Sequence, residues 1–494
     1  MPEKKTQPEP AASSETTPET TPETGPETTP ETRAKISPID AFTRVVSLVC
    51  VLILGAMFIA WGARTDAGGA LPMLSALLCA ALFGALGLRF LPVWFGDWYD
   101  RAGRTHAALP DRARPGGGTI AKVFFTCLGA ILAAHALLYL WQLMTVGRVT
   151  IPEALQLWTR LDSQHYISIA RDWYASDGDE SRVVLLVFLP GYPLLIRLFA
   201  ALTRDWFASA LLVSALSFAG AGVVVYLLAR EDGDHDYALR ALKYTIILPG
   251  AVFYAAPMTE SLFLLLSVSC VYFARRRRFA AAGLMGGLAA FTRSVGLVLL
   301  APLCYELIAD ALERRPSGMG GRERGRLALS AAAVLLVPAG FGAYCLVCRA
   351  VSGDPFRFLV YQREHWNQSL GYFFNTAAYQ MNYAAIAWQD GDMERLFGLR
   401  LPNLLCIFGS LALMTAAARR LRPSYTAYFI GYFVVAIGTT WLLSGPRYLS
   451  VVFPLSFAVA GYTESRRADN AVTIAFTVLY VLYMYVLVMR WQVW

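Results

Sequence analysis

The sequence predicts an all-α, polytopic integral membrane protein. Hydrophobic residues make up 56% of its 494 positions. Charged residues make up only 16%, against roughly 25% in soluble globular domains. The apolar residues are concentrated in separate runs, many of them near the roughly 20 residues that cross a bilayer as one helix. We therefore expect about 11–13 transmembrane helices.

Thirteen apolar runs underlie this prediction. They lie near residues 44–63, 70–90, 120–144, 207–229, 240–256, 259–274, 279–292, 294–310, 327–349, 402–419, 424–443, 447–463 and 471–491. Several are shorter than a full crossing and suit broken or tilted helices. The stretch 186–202 is also apolar, but it contains Pro190, Pro193 and Arg197. We interpret it as an interfacial helix, because a crossing there would place the next basic cluster on the opposite side of the membrane.

Basic residues between the runs predict the orientation. Arginine and lysine cluster at residues 101–114, 230–243, 275–278, 314–326, 419–422 and 466–467. Such clusters usually face the cytoplasm. We expect a plasma-membrane protein with its N-terminus in the cytoplasm. In this orientation all the basic clusters face the cytoplasm, and the long segments 145–206 and 350–401 face outside. Both segments are rich in aromatic and ionisable residues, so we expect amphipathic helices and the chemistry of the protein there.

Composition divides the chain into three regions. Residues 1–40 hold eight acidic and four basic residues and repeat Pro-Glu-Thr every four positions from Pro18. Because this segment has no apolar groups to bury, we predict a disordered cytoplasmic tail. The next region, 41–118, is expected to form two transmembrane helices and a basic cytoplasmic loop. The first apolar run follows a long polar segment without a cleavage pattern, so it is expected to be retained as an anchor. The main transmembrane domain follows at 119–494.

The sequence predicts no metal, no other cofactor and no nucleic-acid partner. All eight cysteines lie in apolar segments, where cysteine packs as a small hydrophobe. The only CxxC pair, Cys345 and Cys348, has no second pair of ligands nearby. His135 lies in the middle of an apolar run and is interpreted as a packing residue. The glycine-rich segments lack the spacing of a phosphate-binding loop, so nucleotide binding has no support.

The segment Trp158-Thr-Arg-Leu-Asp-Ser-Gln-His-Tyr166 is the most informative for function. Asp162 lies next to aromatic and apolar residues, where a carboxylate can serve as a general base. Arg160, two positions away, can meet an anionic phosphate. An interfacial belt of aromatic residues has the same composition. From these residues alone, both interpretations remain open.

Three further motifs accompany this segment. They are Phe188-Leu-Pro-Gly-Tyr-Pro-Leu-Leu-Ile-Arg197, the hairpin 249–263 that contains Glu260, and Phe291-Thr-Arg293-Ser-Val-Gly296. Together the four motifs resemble those of the GPI mannosyltransferase II family and its bacterial relatives, which are multi-pass glycosyltransferases of the GT-C class. The resemblance runs from about residue 125 to 465 and implies a GT-C fold with Asp162 as the catalytic base. Leu161, Trp173 and Ser294-Val295 depart from the family pattern, so acceptor specificity does not follow.

The other candidate residues lie in several segments. Glu260 and Arg293 are charged groups at helix ends, where unpaired charge is costly, so they suit site support or a structural ion pair. A helix after Asp354-Pro355 is expected to turn a polar face toward sugar hydroxyls, although a solvated amphipathic helix fits equally. Arg447 suits lipid phosphate or headgroup anchoring. The predicted substrate-binding residues are Arg160, His165, Tyr166, Glu260, Arg293, Gln362, His365, Trp366, Arg447 and Tyr448.

The resemblance implies transfer of mannose from a polyprenyl-phosphate-mannose donor to a lipid or glycolipid acceptor on the extracytoplasmic face. The expected partners are the donor, the acceptor and membrane lipids, and the transfer is expected to invert the anomeric configuration. A donor carried by lipid phosphate suits a site that faces outside. Two alternatives remain. A secondary transporter has similar hydrophobicity but typically has related halves, and a non-catalytic GT-C-like lipid-binding subunit keeps the fold without the base.

Overall fold

The computed structural model describes residues 38–65, 68–103, 115–174, 183–314 and 320–491. The predicted disordered tail before residue 38 lies outside the described residues, as does most of the basic loop at 101–114. The described part of the chain is helical and contains no β-strand longer than an isolated bridge between Leu370 and Thr439. The predicted all-α class is therefore confirmed.

The described α-helices follow one another with short connections. Their bounds are Pro38–Gly62, Ala70–Gly103, Gly117–Val146, Ile151–Leu155, Ser163–Asp172, Gly191–Thr203, Trp206–Asp232, His235–Ile247, Glu260–Arg275, Phe279–Thr292, Leu300–Arg314, Gly321–Val334, Leu336–Ser352, Arg357–Trp366, Phe373–Gln389, Met393–Arg395, Leu401–Ala417, Pro423–Ile437, Gly445–Ser450, Pro454–Tyr462 and Arg466–Val488. Shorter 3₁₀-helices cover Gln156–Thr159, Val184–Val187, Pro249–Ala255 and Ser294–Leu299, and a π-helical turn covers Leu396–Arg400.

Eight described helices are long and apolar enough to cross a membrane. They are Ile39–Gly62, Ala70–Ala102, Gly117–Val146, Trp206–Asp232, Ser294–Arg314, Gly321–Ser352, Met393–Ala417 and Arg466–Val488. If the bent pair Pro249–Ala255 and Glu260–Arg275 counts as one span, the described residues contain nine candidate spans. This number is lower than the 11–13 expected, because Phe279–Thr292 and Pro423–Ile437 are apolar but short. The run 447–463 is also divided between the helices Gly445–Ser450 and Pro454–Tyr462. The chain is an integral membrane protein.

The apolar stretch after residue 183 forms a short helix rather than a long one. A 3₁₀ turn at Val184–Val187 precedes the helix Gly191–Thr203. Arg197 of this helix donates from Nε to the carbonyl oxygen of Ala170 at 2.8 Å. The helix has 13 residues, fewer than a crossing requires. Its place at the membrane interface remains a prediction.

The chain breaks its helices where the motif residues lie. The 3₁₀-helix Pro249–Ala255 meets Glu260–Arg275 at a bend of 105°. Pro257 lies between the two helices, and proline cannot supply a backbone N–H for a continuous helix. The bend leaves Glu260 as the first residue of its helix. A second 3₁₀-helix, Ser294–Leu299, directly follows Arg293. Both charged residues therefore lie at helix breaks inside the bundle.

The two N-terminal spans pack directly on the second long segment. Trp61 donates from Nε1 to Oδ1 of Asn375 at 2.9 Å, and the Ser75 hydroxyl donates to the carbonyl oxygen of Ala377 at 2.8 Å. The Phe83 ring lies 4.4 Å from the ring of Phe373. These contacts hold the helix Phe373–Gln389 in place. The spans therefore pack on the helical bundle, although the family resemblance does not cover them.

Candidate active site

A cavity of about 920 Å³ lies between the segment around Asp162 and the helix Arg357–Trp366. Further parts of the chain contribute to its wall, among them residues 187–189, the helix break at Arg293, residues 368–370, the end of the helix Pro423–Ile437 and the segment 439–448. Among the predicted site residues, those that line the cavity are Asp162, His165, Tyr166, Arg293, Gln362, Trp366, Arg447 and Tyr448. The fold thus brings together residues that lie up to 286 positions apart in the sequence.

Asp162 lies at the turn that precedes the helix Ser163–Asp172. Its neighbour Leu161 has a φ of 58°, so the backbone turns sharply before the carboxylate. Oδ2 of Asp162 lies 2.7 Å from Nη2 of Arg447. The side chain of Asp162 is 26% exposed and borders the cavity. A carboxylate in this position can accept a proton from a molecule in the cavity while it stays oriented by Arg447.

Four charged side chains form a continuous series along the cavity wall, and three of them line the cavity. Arg447 pairs with Asp162 and also places Nε 3.3 Å from Oε1 of Glu260. The same oxygen of Glu260 accepts a hydrogen bond from Nη1 of Arg293 at 2.7 Å. Glu260 is almost fully buried, with 2% of its side chain exposed. Buried charges are stable only when they are paired, and here carboxylates and guanidiniums alternate.

Tyr448 supports both guanidiniums from one side. The centre of its ring lies 5.5 Å from Cζ of Arg293 and 5.2 Å from Cζ of Arg447. Phe263 lies at 5.6 Å from Cζ of Arg293. An aromatic face attracts a cation and limits its orientation. The two arginines are therefore held in fixed positions next to the cavity, where they can meet an anionic group.

The short helix Gly445–Ser450 positions Arg447, and three contacts hold it. Tyr254 donates a hydrogen bond to the carbonyl oxygen of Ser450 at 2.5 Å. The backbone N–H of Gly445 donates to Oδ1 of Asn403 at 2.7 Å. Gly250 lies so close to Pro446 that a Cβ there would overlap the proline carbonyl group. The helix thus packs directly on the 3₁₀-helix Pro249–Ala255.

Aromatic rings and amides form another part of the cavity wall. The His165 ring stacks on Phe188 at 4.9 Å, and Trp366 meets Phe188 edge to face at 5.7 Å. Gln362 donates to the side-chain oxygen of Gln368 at 2.5 Å. Burial lowers the pKa of the His165 imidazole, and the Asp162 charge only partly opposes this shift. A neutral imidazole, aromatic faces and amides are groups that bind sugar rings and hydroxyls.

Three predicted residues do not line the cavity. Glu260 is buried against Arg293 and Arg447, so it does not contact a substrate there. Arg160 donates from Nη1 to the carbonyl oxygen of Leu487 at 3.0 Å, so it contacts the C-terminal helix and does not line the cavity. His365 is exposed and makes ring contacts with Tyr361 and Trp366. On that helix, the face toward the cavity instead carries Leu359, Gln362, Arg363 and Trp366.

Arg363 also belongs to the site, although it is not among the residues predicted from the sequence. This residue is exposed and lines the cavity beside Gln362. Residues three or four positions apart lie on one face of a helix, and this spacing relates Leu359, Gln362, Arg363 and Trp366. That spacing was available in the sequence, but the choice of His365 as a site residue assumed the adjacent face.

Among the described residues, no group of three or more His, Cys, Asp or Glu is placed to hold a metal ion. No protein-family model matches the sequence, and no curated protein matches it either. The resemblance to the GPI mannosyltransferase II family therefore stays a prediction.

Two solved structures are similar to this chain at low identity. The first is ArnT from Cupriavidus metallidurans bound to undecaprenyl phosphate, with 17% identity and a TM-score of 0.44 over 76% of this chain and 77% of ArnT. The second is the archaeal oligosaccharyltransferase AglB from Archaeoglobus fulgidus in complex with an inhibitory peptide and a dolichol-phosphate. It has 13% identity and a TM-score of 0.36 over 74% of this chain and 56% of AglB. Neither similarity is high enough to establish a shared fold or activity.

Proposed function

We propose that this protein is a membrane glycosyltransferase of the GT-C class that transfers a sugar from a polyprenyl-phosphate donor to a lipid or glycolipid acceptor. The observation that carries the proposal is the Asp162–Arg447 ion pair at the wall of a cavity within an integral membrane protein. A cavity-facing carboxylate next to buried arginines provides a base and phosphate-binding groups in one place. The motif resemblance adds mannose as the sugar and the extracytoplasmic face as the side of reaction.

The proposed reaction is a single displacement at the anomeric carbon. The oxygen of the acceptor hydroxyl forms a bond to the anomeric carbon, and Asp162 accepts the proton of that hydroxyl. The bond from that carbon to the phosphate oxygen breaks on the opposite face, which inverts the configuration. Negative charge grows on the departing lipid phosphate, and Arg293 and Arg363 are the cations proposed to meet it. Arg447 keeps Asp162 oriented.

The aromatic wall is proposed to bind the sugar. Trp366 and the stacked pair of His165 and Phe188 offer flat faces to the ring, and Gln362 offers an amide to its hydroxyls. Arg160 receives no role in donor binding, because its guanidinium contacts Leu487 instead. This assignment differs from the one expected from the sequence, and it follows from the direction of the side chain.

Substitution of Asp162 by asparagine tests the proposal. Asp162→Asn keeps the size of the side chain but cannot accept the proton, so transfer by the purified protein should slow by roughly 100-fold or more. Binding of the polyprenyl-phosphate sugar should persist. The measurement is the rate at which radiolabelled sugar is transferred from a defined donor to a lipid acceptor. Asp172→Asn is the matched control, because Asp172 follows on the same segment but pairs with Arg171 and does not line the cavity.

The outcomes separate the proposal from its rivals. Near-normal transfer by folded Asp162→Asn would show that another group is the base. Absence of transfer by the wild-type protein, together with substrate uptake into vesicles, would favour a transporter. Binding of donor lipid without transfer or uptake would favour a non-catalytic lipid-binding subunit.

A further inference from the structure

A buried arginine without a carboxylate partner lies outside the candidate site. Arg400 ends the π-helical turn Leu396–Arg400, directly before the helix Leu401–Ala417, and only 6% of its surface is exposed. A guanidinium carries five N–H donors and keeps its charge in proteins. In the described part of the chain, its nitrogens make one hydrogen bond, from Nη1 to Oε1 of Gln380 at 3.2 Å. No described carboxylate oxygen lies within 4.0 Å of these nitrogens, which is the limit for an ion pair.

Two other arginines with little exposed surface do have a carboxylate partner. Arg275 pairs with Asp232 at 2.7 Å, and Arg422 pairs with Glu306 at 2.6 Å. The arginines of the candidate site pair with Glu260 and Asp162 in the same way. Arg400 differs from these residues because its neighbours are neutral. Its positive charge is therefore not balanced by the described protein groups around it.

Aromatic rings fix the orientation of Arg400. Cζ of Arg400 lies 4.6 Å from the centre of the Tyr383 ring and 5.8 Å from that of Trp441. Gln380 is held in turn, because it donates to the carbonyl oxygen of Leu442 at 2.7 Å. These contacts hold a planar cation in one position without neutralising it. Such an arrangement suits an anion that approaches along the edge of the guanidinium.

Large apolar side chains are exposed on the helical segments that carry Arg400, Gln380 and Tyr383. Trp388 is 65% exposed, Phe397 is 49% exposed and Met393 is 38% exposed. In a membrane protein, large apolar side chains exposed in this way face lipid, and arginines near the ends of spans reach the headgroups. The nearest other arginine on this element, Arg395, is itself exposed and pairs with Asp392 at 3.3 Å. A phosphate carried by a lipid fits both the cation and the apolar surface.

We propose that Arg400 binds the phosphate group of an anionic lipid at a site separate from the cavity. The phosphate supplies the missing negative charge, and the acyl chains lie against Trp388 and Phe397. Arg400, Gln380 and Tyr383 do not line the cavity, whose wall includes Leu443 and Ser444. The segment 439–444 thus separates the two sites. This proposal does not depend on the proposed function, because it concerns binding and not transfer.

Lipid binding by the purified full-length chain tests this proposal. The protein in detergent is titrated with phosphatidylglycerol, with zwitterionic phosphatidylcholine and with inorganic phosphate, and bound lipid is counted by native mass spectrometry. Wild-type protein should retain phosphatidylglycerol in preference to phosphatidylcholine. Arg400→Gln should bind phosphatidylglycerol at least about tenfold more weakly, because the bound phosphate loses its charged partner. Arg395→Gln removes the same charge from a nearby exposed position and should bind as the wild type does.

Two results would overturn the proposal. One is equal phosphatidylglycerol binding by wild type and a folded Arg400→Gln variant. The other is displacement of the lipid by inorganic phosphate at the same concentration, which would identify free phosphate as the ligand. If Arg400→Gln does not fold, Arg400→Lys and Tyr383→Leu replace it. Arg400→Lys keeps the charge without the planar guanidinium, and Tyr383→Leu removes the aromatic face. Both variants should bind phosphatidylglycerol more weakly. Unchanged binding in both would contradict the proposal.

Discussion

Glu260 is the residue on which both buried arginines of the candidate site depend. One oxygen of its carboxylate contacts Arg293 at 2.7 Å and Arg447 at 3.3 Å. Without this charge, two guanidiniums remain in the interior with only Asp162 to balance them. Removal of one partner of a buried ion pair usually costs about 3–5 kcal/mol, which is a large part of the stability of a typical protein. Glu260 is therefore interpreted as the residue that keeps the two cations in place.

We predict that Glu260→Gln lowers the free energy of unfolding by roughly 3 kcal/mol. The amide keeps the size of the side chain but removes the negative charge between Arg293 and Arg447. The measurement is a denaturant titration of the purified protein in detergent. Glu364→Gln is the control, because Glu364 is exposed on the helix Arg357–Trp366. Equal unfolding curves for Glu260→Gln and wild type would contradict the structural role of this carboxylate.

At the residue scale, sequence motifs identified types of residue better than directions of side chains. Asp162, Arg293 and Arg447 were selected from separate motifs, and the structure connects them through Glu260. Arg160 was selected for its closeness to Asp162 in sequence, yet its guanidinium points to Leu487. A separation of two positions does not place two side chains on the same side of a turn. Only the folded backbone determines which of them reaches the cavity.

At the scale of elements, the contact between two short helices positions the site. Gly250 allows the 3₁₀-helix Pro249–Ala255 to touch the helix Gly445–Ser450 at Pro446. Arg447 is the residue that follows Pro446. Any group that separates the two helices therefore moves the guanidinium away from Asp162.

We predict that Gly250→Ala reduces sugar transfer by about tenfold or more, because a shift of about 1 Å at a catalytic group can cost 100-fold. The added methyl group overlaps the carbonyl group of Pro446, and backbone cannot move aside as a flexible side chain can. Transfer and thermal unfolding are measured on the same preparation. Gly409→Ala is the control, since a Cβ at Gly409 meets no atom within 4 Å. Full activity of Gly250→Ala would show that this contact does not position the site.

Element boundaries were harder to predict than element type. The apolar runs indicated helices correctly, but runs such as 240–256 do not show where a helix stops being α-helical. Within that run, His235–Ile247 ends and the 3₁₀-helix Pro249–Ala255 begins. The residues that flank this break, Ile246-Ile247 and Val252-Phe253, are all apolar, so apolar content does not mark it, whereas Pro249 does. The site lies at such breaks, and a pattern based on apolar content passes over them.

At the scale of the whole molecule, the two N-terminal spans belong to the same helical body as the site. Ala70–Gly103 continues past its apolar part, and Asp97 accepts hydrogen bonds from Arg101 and from Tyr305 of the helix Leu300–Arg314. At the other end, Trp61 and Ser75 hold the helix Phe373–Gln389. These contacts cannot be predicted from the sequence, because single polar residues in apolar runs do not reveal their partners.

The orientation of the protein in the membrane can be tested directly. If the lipid-phosphate sugar donor lies on the extracytoplasmic face, the cavity must open on that face. Positive clusters predict that the end of the molecule with residues 464–467 is cytoplasmic and the helix Arg357–Trp366 is outside. Cysteine introduced as Glu364→Cys should react with an impermeant thiol reagent in intact cells, and Glu464→Cys only after permeabilisation. Both positions are exposed. The native cysteines in apolar segments give the background, measured on wild type. The reverse pattern would place the cavity in the cytoplasm and remove the case for an extracytoplasmic donor.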